Sequence, residues 1–259
     1  MKTALVTGAG TRLGRAMALY LGDRGFDVAV HYNTSSKGAD EVVADLRAAG
    51  QRGVAVQADL LNEDETQSLF SRATEALGSP ITCLINNASI FEYDTVNSAT
   101  AESWDRHIGS NLRAPFILTQ AMAKQGLTPI LDDAGEAKAA GLIVNMLDQR
   151  VRNLSPEFMT YTIAKMGLWA MTQTTAQALA PAIRVNAIGP GPTLQGARQT
   201  AEHFANQRKR VILERGANPD DITAALGYFL DAPSVTGQLL CTDGGQHLGW
   251  KTPDVQGLG

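Results

Sequence analysis

Thr3-Ala4-Leu5-Val6-Thr7-Gly8-Ala9-Gly10-Thr11-Arg12-Leu13-Gly14 is an apolar run that breaks into a glycine-rich turn and then enters an amphipathic segment. The run has the length and continuous apolar character of a strand covered on both faces. Gly8, Gly10 and Gly14 permit a tight turn and let backbone N–H groups approach a pyrophosphate lying on the helix N-terminus. A glycine-rich string alone is a weak signal, since any tight strand-to-helix turn looks similar. Its place between a first strand and a first helix, heading a βαβ unit, is what makes it decide the fold.

Outward from this turn, β-rich runs alternate with helical ones. Strands are predicted over residues 3–7, 27–31, 53–57, 82–86, 141–146, 183–188 and 238–241, and helices over 13–24, 39–49, 64–76, 103–123 and 161–179. Short connections between alternating elements imply right-handed crossovers. The expected fold is therefore α/β: one Rossmann domain over residues 1–259, a doubly wound seven-stranded parallel sheet with helices on both faces. Residues 124–140 read as a surface excursion. Residues 190–218 lie before the helix that Pro219-Asp220-Asp221 starts, and a connection of that length reads as a substrate-binding lid, with Leu194 its candidate substrate contact. Arg208-Lys209-Arg210 within it read as a solvated face. Residues 251–259 read as a tail.

Of the 259 residues 44% are hydrophobic, enough for a sizeable core. A net charge of −4 is too mild to point to nucleic acid or an anionic membrane. The apolar start of the chain is far too short for a signal peptide or a membrane span, so a soluble, cytoplasmic protein is expected. Cys83 and Cys241 both fall in apolar runs and read as isolated core thiols. No metal is expected.

Turns of this kind that bind NAD place an acidic residue at the end of the second strand. Here that strand ends Val30-His31-Tyr32-Asn33-Thr34-Ser35-Ser36, with no carboxylate. Hydroxyls, amides and a nearby cation suit a ribose phosphate that a carboxylate would repel, and Arg12 is the nearby cation. The expected cofactor is NADPH, held by Gly8, Gly10, Arg12, Leu13 and Gly14 and by His31, Tyr32, Asn33, Thr34 and Ser35. For Arg12 the alternative is a solvated residue at a helix start.

Tyr161-Thr162-Ile163-Ala164-Lys165 sets a phenol and an ammonium four residues apart, on one helix face. A Lys charge beside the phenol favours the phenolate, so Lys165 is expected to lower the Tyr161 pKa and ready it for proton exchange. The spacing is common by chance. Its weight comes from lying soon after the strand at 141–146, whose end opens onto the cofactor crevice.

Together these residues resemble the short-chain dehydrogenase/reductase family over essentially the whole chain. The turn at 7–14 looks like the family's cofactor turn. Asp59, in Ala58-Asp59-Leu60, matches its adenine-contacting acid, and Asn86-Asn87-Ala88 its strand-four signature. Asn111 falls where the family has the Asn of its proton relay, which implies that it positions a water linking Lys165 to solvent. Asn186 and Pro190-Gly191 match the segment flanking the nicotinamide. Asp243-Gly244-Gly245 looks like the C-terminal segment of a family whose members are usually homotetramers.

Two departures narrow the resemblance. Arg12 stands where the family turn usually has a second glycine. Asp148, in Asn145-Met146-Leu147-Asp148, stands where the family has its catalytic Ser. The pteridine reductases and the related dihydromonapterin and dihydrofolate-type reductases share both, with a His-Tyr like His31-Tyr32 and an Asn-Ala-Ser like Asn87-Ala88-Ser89 followed by an aromatic. The resemblance implies that Phe91 stacks on a pterin and that Ser89 contacts cofactor or substrate; otherwise Phe91 is a hydrophobic loop anchor.

An ionised Asp cannot donate to a carbonyl oxygen that becomes an alkoxide, and its charge opposes that alkoxide. A pterin instead takes hydride at a ring carbon and a proton at a ring nitrogen, and its N–H and amino groups suit a carboxylate acceptor. The expected reaction is reduction of a 7,8-dihydropterin at C6, with Tyr161 directing a proton to N5 and Asp148 orienting the ring. Two alternatives stay open on the sequence. One is a carbonyl reductase of the 3-oxoacyl, sugar or ketone type; the other is a non-catalytic NADPH sensor, for which Asp148 is only a strand-end residue.

Overall fold

The computed structural model describes residues 2–196 and 199–250. β1 (Thr3–Val6) leads into α1 (Arg12–Asp23), β2 (Asp27–Tyr32), α2 (Ser36–Ala48), β3 (Gly53–Gln57), α3 (Glu63–Leu77) and β4 (Cys83–Asn86). α4 (Ala101–Ile108) continues through a π-helical turn, Gly109–Arg113, into α5 (Ala114–Lys124). A small antiparallel hairpin of β5 (Ile130–Leu131) and β6 (Ala137–Lys138) precedes β7 (Gly141–Met146) and α6 (Met159–Leu179). β8 (Ile183–Pro190), α7 (Ala201–Lys209), α8 (Pro219–Asp231) and β9 (Leu239–Thr242) follow.

The large sheet has the order β3-β2-β1-β4-β7-β8-β9, and every neighbouring pair is parallel. The chain builds outward from β1 to β3, then returns to β4 on the other side of β1. At that reversal the connections leave toward opposite faces, which opens a crevice at the C-terminal strand ends. The seven expected strands are the seven strands of this sheet.

Both faces are covered, which is why the strands read as continuous apolar runs. On one face Val6, Val28, Val30 and Val144 pack under Met17, Leu21, Leu46 and Phe229 from α1, α2 and α8. On the other Leu5, Ala29, Leu84 and Ile143 pack under Leu69, Phe70, Leu118 and Met122 from α3 and α5. A fully buried side chain of this size contributes about 1.5–3 kcal/mol. One polar chain crosses this interior. Asn86 donates to Asn145 at 2.8 Å, Asn145 donates to Thr172 at 2.9 Å, and Thr172 donates to the Leu168 carbonyl at 2.8 Å. It ties α6 to the middle of the sheet.

The structure corrects some expectations and adds detail to others. The helix expected over 103–123 is two helices with a π turn between them; Gly109-Ser110-Asn111 are poor helix formers in mid-segment. The excursion at 124–140 carries the exposed hairpin. The stretch 190–218 contains α7, while Ala197 and Arg198 and the tail expected at 251–259 lie outside the described residues. Cys83 is buried, but Cys241 is only half-buried because β9 is the sheet edge, and both are free thiols. Among the described residues no helix is long and apolar enough to cross a membrane.

Candidate active site

The turn after β1 is held from three sides. Gly8 takes φ +63°, in the left-handed region, and a Cβ on Gly14 would lie 2.1 Å from the Gly8 carbonyl oxygen. The Thr7 hydroxyl accepts from the amides of Asn87 and Ala88 at 2.9 and 3.0 Å, and the Asn87 side chain donates to the Thr7 carbonyl at 2.8 Å. His31 is buried beneath the turn. Its Nδ1 accepts from the Gly8 N–H at 3.0 Å, so its Nε2 carries the proton and donates to the Ala58 carbonyl at 3.1 Å. Burial lowers its pKa to about 4, against the opposing pull of the Ala58 bond. The sequence pattern puts His31 among the cofactor contacts; its two nitrogens brace the turn, and the residue also lines the cleft.

Arg12 also takes a left-handed φ, +52°, which accounts for the glycine usual at that place. Its guanidinium donates to the Gln195 and Leu194 carbonyls at 2.9 and 3.2 Å. Arg12 thereby joins the turn to the 190–218 segment, and Leu194, expected as a substrate contact, meets Arg12 through its backbone.

A cleft of about 350 Å³ runs along the turn, past Leu13, Tyr32, Asn33, Thr34, Ser35 and Ser89. A second lobe of about 330 Å³ continues past Gly8, Asn33 and Ala88 to Asp59, Leu60 and Arg106. Asp59 accepts from the Leu61 amide at 3.0 Å, which shapes the rim of that lobe. Pro190 ends β8, and the Gly191 amide donates to the Thr242 carbonyl at 3.1 Å. Asn186, in the segment expected to flank the nicotinamide, is buried and clasps the Val235 carbonyl and the Gln238 amide.

The expected catalytic group comes together at the end of β7. The Tyr161 hydroxyl donates to Asp148 Oδ2 at 3.1 Å, and Asp148 Oδ1 accepts from the Arg150 amide at 2.8 Å. Lys165 Nζ donates to the Met146 carbonyl at 2.8 Å and is buried. Burial lowers the Lys165 pKa to about 8, opposed by the Asp148 charge. Tyr161 moves the other way from the expectation. Burial, then the Asp148 charge and hydrogen bond, raise its pKa well above 10, while the Arg150 charge and a hydrogen bond from Ser89 act against the rise. Tyr161 is therefore held as a protonated phenol rather than a phenolate, first by burial and then by the negative charge it touches.

Asn111 is buried in the π turn, where its side chain accepts from the Ile90 amide and donates to the Ile90 carbonyl, both at 2.8 Å. Phe91 is half exposed, stacks on Phe158 with centroids 4.4 Å apart, and meets Tyr161 edge-on at 4.7 Å. Sequence reading missed Asp94, His107, Arg150, Phe158 and Thr160, all grouped around Tyr161. Asp94, His107 and Arg150 reach it from separate segments, and nothing in the sequence beside Tyr161 marks Phe158 or Thr160. Only the run Glu92-Tyr93-Asp94, polar residues beside Phe91 after a strand, carried a signal.

Fold and site together define a dinucleotide-dependent oxidoreductase: a Rossmann sheet with its turn, and a buried Tyr–Lys pair at the crevice. The chain belongs to the short-chain dehydrogenase family, whose model matches residues 2–207. In structure it is similar to the FolM alternative dihydrofolate reductase 1 of Brucella canis, crystallised with NADP. That chain is 40% identical, with a TM-score of 0.89, over 98% of this chain and 97% of that one. In sequence it is similar to 3beta-hydroxysteroid dehydrogenase 1 of Eggerthella lenta, 33% identical over 95% of this chain and 94% of the relative. It is also similar to a 3-oxoacyl-[acyl-carrier-protein] reductase of Synechocystis, 32% identical over 94% and 96%.

The His31 brace carries a pH signature. Its folded pKa of about 4 lies below the ordinary 6.5, so the unfolded chain binds the extra proton first. The stability it contributes is complete above pH 6.5 and is lost as pH falls toward 4, about 3 kcal/mol at most. Urea unfolding across that range should show the wild type losing stability more steeply than His31→Leu; parallel curves would refute the brace.

Proposed function

We propose that this oxidoreductase uses NADPH to reduce a dihydropteridine, of the dihydromonapterin, dihydrobiopterin or dihydrofolate kind, to its tetrahydro form. One observation carries the reading: Tyr161 donates to Asp148 at 3.1 Å, a carboxylate where a carbonyl-reducing site needs a hydroxyl donor. The 40% identity to the FolM protein, and the NADP bound to that protein, support it.

The residues present fit the dinucleotide. The Gly8–Gly14 approach leaves no room for a side chain, and the polar end of β2 has no carboxylate to repel a ribose phosphate. Gly8, Gly10, Leu13 and Gly14 would cradle the pyrophosphate, and Arg12 with Tyr32, Asn33, Thr34 and Ser35 would take the phosphate on the ribose. Asp59 and Leu60 would border the adenine, Asn87, Ala88, Pro190 and Gly191 would flank the nicotinamide side, and Lys165 would hold its ribose. Bound there, the reduced nicotinamide supplies a hydride to a ring carbon.

The rest of the chemistry belongs to the chain. Tyr161, kept protonated by burial and by Asp148, delivers its proton to the ring nitrogen. Asp148 accepts from the heterocycle's N–H and amino donors, and reduction of C=N creates no oxyanion for its charge to oppose. The Ser89 hydrogen bond and the Arg150 charge favour the phenolate that remains. Phe91 offers its exposed ring as a stacking surface, and Leu194 lies in the lid above. Asn111 holds the water that links Lys165 to solvent, as the family resemblance implies. A second reading, a carbonyl reductase, is favoured by the similarity to the hydroxysteroid dehydrogenase and the 3-oxoacyl reductase.

Offering dihydromonapterin, dihydrobiopterin, dihydrofolate and a 3-oxoacyl thioester in parallel, with NADPH oxidation as the readout, separates the two readings. Turnover of a dihydropterin, lost roughly 100-fold in Asp148→Ser, is expected. Turnover of the thioester alone would reject the pterin reading.

Lys165 sets a second expectation. Its charge is present below a pKa of about 8 and is lost above it. Because kcat/KM for NADPH reports the free enzyme, that parameter should fall tenfold per pH unit above about 8. A flat profile to pH 10 would show that the Lys165 charge does not hold the cofactor.

We also propose the homotetramer that the resemblance implies. Trp104, Phe116, Ile163 and Met166 are exposed on α4, α5 and α6, and Tyr228, Leu240, Leu248 and Trp250 are exposed around α8 and β9. Two apolar faces suit two interfaces. Light scattering should give four chain masses, and one or two masses would contradict it.

A further inference from the structure

Residues 90–94 run beside the site with an alternating pattern. The backbone of Ile90 is bound by Asn111, the Glu92 amide by His107 and the Asp94 carboxylate by Thr160, while the rings of Phe91 and Tyr93 are 46% and 54% exposed. The odd-numbered rings make the aromatic surface: Phe91 on Phe158 and Tyr161, and Tyr93 edge-on to Phe158 at 5.1 Å.

Glu92 and Asp94 are fixed by a closed circuit of hydrogen bonds. The Glu92 amide donates to His107 Nε2 at 3.1 Å. The ring's proton therefore sits on Nδ1, which donates to the Thr160 hydroxyl at 2.7 Å. The Thr160 hydroxyl in turn donates to Asp94 Oδ2. Asp94 Oδ1 accepts from the Thr160 amide at 3.1 Å, and Oδ2 also accepts from Ser103 at 3.1 Å. The circuit begins and ends on the same short segment, two residues apart. His107, Thr160 and Asp94 are 0%, 2% and 2% exposed, so each bond is made away from competing water.

The directions are mutually consistent, although the Ser103 hydroxyl also reaches the Thr100 carbonyl at 3.1 Å and the His107 ring also bonds the Ser103 backbone. The His107 ring also meets the Tyr161 ring edge-on at 5.9 Å, and Thr160 is the residue immediately before Tyr161. Asp94 thus caps the start of α6, through the Thr160 amide, at the turn that carries the phenol.

We infer that Asp94, His107 and Thr160 are positioning residues that lock the 90–94 segment to the start of α6, and so set Phe91 against the Tyr161 hydroxyl. This rests on Tyr161 as the proton donor and Phe91 as the stacking surface. None of the three touches the cofactor cleft, so their effect falls on substrate placement and proton delivery, not on dinucleotide binding. Direction matters to the circuit. An isosteric Val at 160 removes the hydroxyl that joins His107 to Asp94 Oδ2 and leaves the Thr160 amide on Oδ1, while Ser restores that hydroxyl.

The test compares wild type, Thr160→Val and Thr160→Ser, using whichever of the dihydropterin and the 3-oxoacyl thioester the wild type reduces. Thr160→Val should lose about 20-fold or more in kcat/KM, with KM raised and kcat lowered, as displaced reacting groups require. NADPH affinity, from fluorescence titration, should stay within about twofold, because the turn is untouched. Thr160→Ser should stay within about threefold of wild type. Hydrogen exchange supplies an arm without turnover: the Glu92 amide should be protected in wild type and Thr160→Ser and open at least about tenfold faster in Thr160→Val.

The inference is overturned if Thr160→Val keeps its kcat/KM, if its NADPH affinity falls in step with activity, or if Ser is as damaged as Val. An unprotected Glu92 amide in wild type overturns it as well. If Thr160→Val does not fold, Asp94→Asn takes its place under the same criteria, since it keeps the shape and turns one acceptor into a donor. A wild type that reduces only the thioester defeats the pterin reading and leaves this comparison intact. If neither substrate is reduced, the exchange result decides.

Discussion

Helix α6 is tied to the end of β7 at three heights, and the site takes its form from those ties. Thr172 receives a hydrogen bond from Asn145, Lys165 gives one to the Met146 carbonyl, and Tyr161 gives one to Asp148. Residues 145, 146 and 148 thus meet residues 172, 165 and 161, nearly two turns apart at first and then one. The first tie is wholly buried and continues to Asn86 on β4, so the helix is referenced to the centre of the sheet. The last two hold the functional groups. A helix set by apolar contact alone can slide by fractions of an ångström, whereas directed bonds in a dry interior leave little such freedom.

The same ties explain the electrostatics. Burying Lys165 costs it part of its basicity, and the nearby carboxylate returns some of it. For Tyr161 both influences act in one direction, because burial and an adjacent negative charge each disfavour a phenolate. The pair is therefore divided into an acid that keeps its proton and a cation that titrates near the upper end of the physiological range. That division suits a reduction in which a proton must be given at the moment a hydride arrives.

The cofactor side is organised differently. Its turn is held by the Asn87 side chain, the Thr7 hydroxyl and the neutral His31 ring, and Asn87 and His31 also line the cleft. Arg12 reaches from this turn to the carbonyls of Leu194 and Gln195, so one cation joins the turn that lines the cleft to the segment after β8.

The order of strands and helices, the glycine turn, and the Tyr161–Lys165 spacing were legible in the sequence, because each is a repeat or spacing within a few residues of chain. The seven strands appeared as apolar runs for the simple reason that helices cover both faces of the sheet. Asp148 was legible as a departure at one aligned position. What the sequence could not express was direction and partnership among buried polar groups. His31 reads only as a cofactor contact, and nothing in the sequence shows that its two nitrogens are taken by Gly8 and Ala58. Asn186 reads as part of a matched segment, and only the fold shows that it clasps the turn before β9. Asp94, His107 and Thr160 are separated by up to 66 positions and meet only because α4 and α6 pack side by side. Their bonds, and the sign of the Tyr161 shift, depend on which groups share a water-free space, and only the folded chain defines that.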